Sequence, residues 1–123
     1  MDKAVVHAAN RIPDDMSMTS SSWRRSCGYH LVPLAYAWDM GAYGWPDPER
    51  MRFANDPANL LAVDGQANQD KGDSPPALWM PPNTAFACQY AMQFIAVLRG
   101  YSLPVDQASA GVLRQAAATC PAG

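Results

Sequence analysis

Cysteine, histidine and charge are all sparse in this sequence, and each scarcity removes a class of protein. Three cysteines, Cys27, Cys88 and Cys120, are too few and too scattered to form a disulfide framework. Only two histidines are present, and the Cys27-x-x-His30 pair has no second Cys/His pair at finger spacing, so the pattern is not a zinc finger. Charged residues make up 16% and the net charge is -2, so no global surplus of Lys and Arg points to a duplex. A local basic patch stays open. No apolar run is long enough to span a bilayer, and the first residues hold no stretch of secretory h-region length. The expected compartment is therefore cytoplasmic, with export by another route left open.

What the chain does have is apolar residues, 49% of its 123 positions, enough to bury one sizeable core and too few for two. Residues 1–26 are polar and irregular, with a Ser17-to-Ser22 tract, and read as a flexible N-terminal arm; residues 27–123 read as the domain. Tyr29 to Val32 has strand character and stops at Pro33, which cannot donate to a ladder. Leu34 to Trp38 predicts a short helix ending near Gly41 and Gly44. Pro46-Asp47-Pro48-Glu49 predicts a helix start, with φ preset by proline and acids at the positive end of the dipole. This helix carries Met51 and Phe53 and stops before Pro57. Leu60 to Val63 is an apolar run of strand length, and Asp64 is placed to cap a helix over Gln66 to Lys71 that Gly72 closes.

The last third predicts two helices. Asn83 caps the first, in which Phe86, Tyr90 and Phe94 recur four apart with Ala91, Ile95 and Leu98 alongside, and Gly100 closes it. Asp106 caps the second, with Val112 and Leu113 inward, running to Cys120. Trp38, Trp45 and Trp79 read as wedges in a small core.

The chemistry-bearing residues follow an order: a strand with His30, a helical excursion, Asn59 leading into a second strand, then a helix with Asn68 and Lys71. An imidazole can take a proton from water near neutral pH, and a divalent ion can stabilise charge on phosphate oxygens. An asparagine at a strand entrance can hold the loop that aims the histidine. Taken alone, His30 also reads as a structural or surface histidine. Asp64, Asp70 and Asp73 read as helix caps or solvated acids before they read as ligands, and Arg24-Arg25 as a solvated edge or a phosphate contact.

His30-Leu31-Val32-Pro33-Leu34-Ala35, Phe53-Ala54-Asn55-Asp56, Asn59-Leu60-Leu61-Ala62-Val63, Asn68, Lys71-Gly72-Asp73 and Trp79 form an ordered string. It resembles the HNH (ββα-metal) endonuclease family, close to the C-terminal domain of the GmrSD type, from about residue 28 to Cys120. The resemblance implies an α+β fold: a small ββα-metal core with a two-stranded antiparallel hairpin and additional packed helices. It also implies His30 as general base and metal neighbour, Asn59 as loop organiser, Asn68 as metal ligand, and Lys71, Arg24 and Arg25 as phosphate contacts. The implied ion is Mg²⁺ or Mn²⁺, with no small-molecule cofactor.

Cys88 and Cys120 recur in the family. In a reducing cytosol they are packed thiols, and a bridge between them requires export.

The sequence departs from the family at one ligand position. Where members carry an acid directly before the histidine, this chain has Tyr29, and a neutral phenol is a poor ligand for a hard cation. Two functions follow as expectations. One is metal-assisted phosphodiester hydrolysis of nucleic acid, DNA ahead of RNA, at full or attenuated rate. The other is a catalytically silent derivative that binds DNA or a protein partner in a phage or defence setting. Neither involves a membrane.

Overall fold

The structure, a computed structural model, describes residues 30–60 and 70–121. The N-terminal arm and Cys27, Tyr29, Arg24 and Arg25 lie outside the described residues, as do most of the 60–63 run and Asn68.

Four α-helices make up the described fold: α1 (Leu34–Met40), α2 (Asp47–Ala54), α3 (Thr84–Gly100) and α4 (Gln107–Ala117). Two 3₁₀ turns, Ala42–Gly44 and Pro57–Asn59, follow α1 and α2. Each helix begins where local chemistry favours it. Pro46 and Pro48 flank the start of α2, whose first turn carries Asp47 and Glu49. Asn83 Oδ1 accepts from Phe86 N at 3.0 Å to cap α3, and Asp106 Oδ2 accepts from Ser109 N at 3.0 Å to cap α4. Both caps are those expected from the sequence. Gly41 ends α1 at φ 140, a value side-chain-bearing residues rarely adopt.

The ββα core with a two-stranded hairpin does not stand. Among the described residues there is no strand or sheet, and β pairing is limited to one antiparallel bridge, His30 with Leu60. The reason lies one and two residues further on. Leu31 N still donates to Asn59 O at 2.8 Å, but Val32 is paired by a side chain rather than by a strand. Val32 N donates to Asn59 Oδ1 at 2.7 Å, and Asn59 Nδ2 donates back to Val32 O at 3.2 Å. Pro33 then offers no N–H, so the ladder ends there.

The core is built on α3. Its Tyr90, Ala91, Phe94, Val97 and Leu98 are buried against Leu31, Val32 and Leu34 from the first segment, Phe53 of α2 and Leu113 of α4. Full burial of such apolar side chains stabilises a fold by about 1.5–3 kcal/mol each. Tyr90 stacks edge-on against Trp79 (centroids 5.8 Å) and Phe86 (6.4 Å). Phe53, Trp45 and Tyr101 form a second aromatic group, with Phe53 and Tyr101 centroids 4.8 Å apart. Of the pair expected on the inner side of α4, Leu113 is buried and Val112 only partly so. A disulfide between Cys88 and Cys120 ties α3 to the chain just after α4.

Candidate active site around His30

The site is assembled from three chain segments. The 3₁₀ turn Pro57–Asn59 is held from both sides: Asp56 Oδ1 accepts from Ala58 N at 2.9 Å, while Asp56 Oδ2 accepts from Tyr101 O–H at 2.7 Å. Gln93 of α3 adds a bond from Nε2 to Ala58 O at 2.8 Å. Asn59, fully buried, thereby meets the residues that follow His30 with three hydrogen bonds, two of them from its amide.

His30 is 1% exposed, and its Nε2 lies 2.7 Å from Ala54 O. A carbonyl only accepts, so Nε2 carries the proton and the lone pair of the neutral ring resides on Nδ1. Among the described residues Nδ1 has no hydrogen-bond partner. Ala54 is the last residue of α2, and the last carbonyls of a helix lack intrahelical donors, so this end supplies a ready acceptor for the imidazole. Burial holds the His30 pKa down at about 4, despite the opposing pull of the Ala54 carbonyl; the nearby charge of Lys71 lowers it further. The ring is therefore neutral across the physiological range, with its lone pair on Nδ1 and its basicity reduced by burial.

Lys71 is fully buried at the end of a helical turn that closes at Gly72, φ 50. Its charge reaches His30, so the structure brings together three of the expected residues, His30, Asn59 and Lys71. Asn68, Tyr29, Arg24 and Arg25 lie outside the described residues. Asp70 and Asp73 are exposed.

A divalent ion was implied by the resemblance. Among the described residues no group of three or more His, Cys, Asp or Glu side chains could hold a metal ion, and the charge acting on His30 there is the cation Lys71. The donors on this side of the site do not fit a hard cation, which prefers several oxygens.

Sequence reasoning missed two contributors. Ala54 acts through its carbonyl, so its side chain gave no signal, although the helix stop before Pro57 marks where orphan carbonyls must fall. Arg50 carried no expected role; it is 8% exposed, and its guanidinium donates to Ala42 O at 3.1 Å, to Tyr43 O at 3.3 Å, and to Trp45 O and Asp47. It also lies over the Trp38 ring at 5.4 Å, and so fixes the turn between α1 and α2.

A buried neutral imidazole locked on a helix-terminal carbonyl and braced by a buried asparagine agrees with the motif string, and the chain belongs to an HNH-type nuclease family. More narrowly, residues 13–116 match the family described as GmrSD restriction endonucleases, C-terminal domain. A protein of Arthroderma benhamiae, named an uncharacterized secreted protein, is 41% identical over 93 residues, covering 74% of this chain and 46% of the relative. The chain thus spans about half the length of that relative. No solved structure matches. The cytoplasmic expectation is corrected by this comparison: the relative is named as secreted, and the Cys88–Cys120 pair, expected to bridge only on export, is a disulfide.

Proposed function

We propose that this is an exported nuclease-type domain in which His30 acts as general base on a phosphodiester of nucleic acid, DNA ahead of RNA. The observation that carries the reading is the His30 ring itself: Nε2–H is fixed on Ala54 O, which leaves Nδ1 unprotonated and, among the described residues, without a hydrogen-bond partner, although burial weakens it as a base. In the reaction, Nδ1 takes a proton from water, the water oxygen bonds to phosphorus, and the ester P–O bond breaks. The departing oxygen takes a proton from solvent. The positive charge of Lys71 favours an anionic phosphate in this neighbourhood. Asn59 is a positioning residue that holds the backbone beside the base.

The second reading is a catalytically silent derivative that binds DNA or a protein. Two observations favour it: His30 is 1% exposed, and Tyr29 stands where the family has an acid.

The test uses the full chain on supercoiled plasmid and on RNA, with Mg²⁺, with Mn²⁺ and with chelator. The hydrolytic reading expects nicking that His30→Ala abolishes while the melting curve stays cooperative. It also expects Tyr29→Asp to strengthen Mn²⁺ binding and raise the rate. A wild type inert under every ion condition rejects hydrolysis, and a partner retained by both wild type and His30→Ala then supports the silent reading.

A further inference from the structure

A cavity of about 440 Å³ lies between the C-terminal half of α3, the connecting segment and α4, and none of His30, Ala54, Asn59 or Lys71 lines it. This volume falls in the range typical of small-molecule sites. Its floor is apolar, including Leu98, Leu103 and Leu113, all of them core residues. Two exposed arginines, Arg99 and Arg114, border it from different helices. Neither guanidinium has an ion pair among the described residues; the ion pairs found there belong to Arg50 and Arg52. Asp106, the acid that starts α4, is taken up by Tyr36 O–H and Ser109 N–H.

Each arginine stands in the last turn of its helix, where a cation complements the carbonyl end. That accounts for either one singly, but not for two cations that have no ion pair among the described residues and border one apolar cavity. Ser102, which also lines the cavity, has φ 52 because it closes α3: Ser102 N donates to Arg99 O at 3.2 Å and Leu103 N to Leu98 O at 2.9 Å, the left-handed turn that commonly ends a helix.

We propose that this cavity binds an amphiphilic anion, with a hydrocarbon chain on the Leu98–Leu103–Leu113 floor and its carboxylate or phosphate head between Arg99 and Arg114. A cavity of about 440 Å³ suits a small amphiphile better than a peptide, which needs an extended groove. Charge complementarity selects an anion over a neutral chain of equal length. The inference is independent of the nuclease reading, since no residue is shared.

The test is calorimetric titration of the full, disulfide-intact chain with sodium dodecanoate below its micelle threshold. Dodecyl phosphate serves as the second head group and dodecanol as the uncharged control. Saturable one-to-one binding of dodecanoate or dodecyl phosphate is expected, with dodecanol about tenfold weaker or worse. The Arg99→Gln/Arg114→Gln double variant should lose about tenfold in affinity with its melting curve unchanged. Leu103→Trp, which fills the cavity, should abolish binding, and its fold is checked by the same melt. Comparable binding of dodecanol, an unaffected double variant, or no saturable binding of either anion overturns the proposal. So does tighter binding of an oligothymidylate or an acidic peptide that the double variant loses, since that makes the arginines a macromolecular contact.

Discussion

Lowering the pH from 6.5 to 4 should destabilise this protein through one residue, His30. The unfolded chain protonates its imidazole near 6.5, whereas in the fold burial and Lys71 delay protonation to about 4. The folded form thus binds fewer protons between these values, and stability rises with pH across that window. The contribution is fully present above 6.5, is lost progressively as pH falls, and levels off below about 4. The displacement corresponds to about 3 kcal/mol, a sizeable part of the 5–15 kcal/mol typical of a domain. The assay is urea unfolding followed by tryptophan fluorescence at half-unit steps from pH 7.5 to 4, on wild type and His30→Gln. Glutamine keeps an amide N–H for the Ala54 carbonyl but does not titrate. His7 and the carboxylates are common to both proteins, so the difference in slope isolates His30. Parallel stability profiles, or an NMR titration of His30 centred near 6.5, would refute the argument. In an active enzyme the same shift moves the acid limb of the rate profile down toward pH 4, away from the usual histidine position.

Asn59→Ala removes two buried amide hydrogen bonds and leaves both polar groups of Val32 without those partners, so a loss of about 2–4 kcal/mol is expected by urea unfolding; a loss under 1 kcal/mol would show that the bracing is dispensable. Joining Cys88 to Cys120 closes a loop of sequence separation 32, for which chain entropy predicts up to about 4 kcal/mol of stabilisation. The Cys88→Ser/Cys120→Ser double variant should therefore melt well below the oxidised wild type and coincide with the reduced one. Asp106→Ala loses the α4 cap and the acceptor of the Tyr36 hydroxyl, with an expected cost of about 1–2 kcal/mol in chemical denaturation. The Asp106 carboxyl is held below its ordinary range, its hydrogen bonds with Tyr36 and Ser109 outweighing burial, so its contribution persists above pH 4 and fades only under stronger acid.

The helices, their caps and the family were legible in the residues themselves. Proline before α2, Asn83 and Asp106 at their caps, and the four-residue spacing of Phe86, Tyr90 and Phe94 act over one or two turns, so local chemistry determines them. The ordered string from His30 to Lys71 likewise marked the nuclease lineage without coordinates. Tertiary structure alone decided that, among the described residues, His30 and Asn59 meet through one bridge and a side chain rather than a hairpin, because an asparagine side chain and a backbone rung satisfy similar hydrogen bonds and no local pattern distinguishes them. It also decided the state of the imidazole. Its pKa depends on burial, on a carbonyl 24 residues away and on the charge of Lys71, and these are set by packing across the chain rather than by neighbours along it. The Arg99–Arg114 cavity has the same origin, since two helices must pack before arginines in separate helices can border one space.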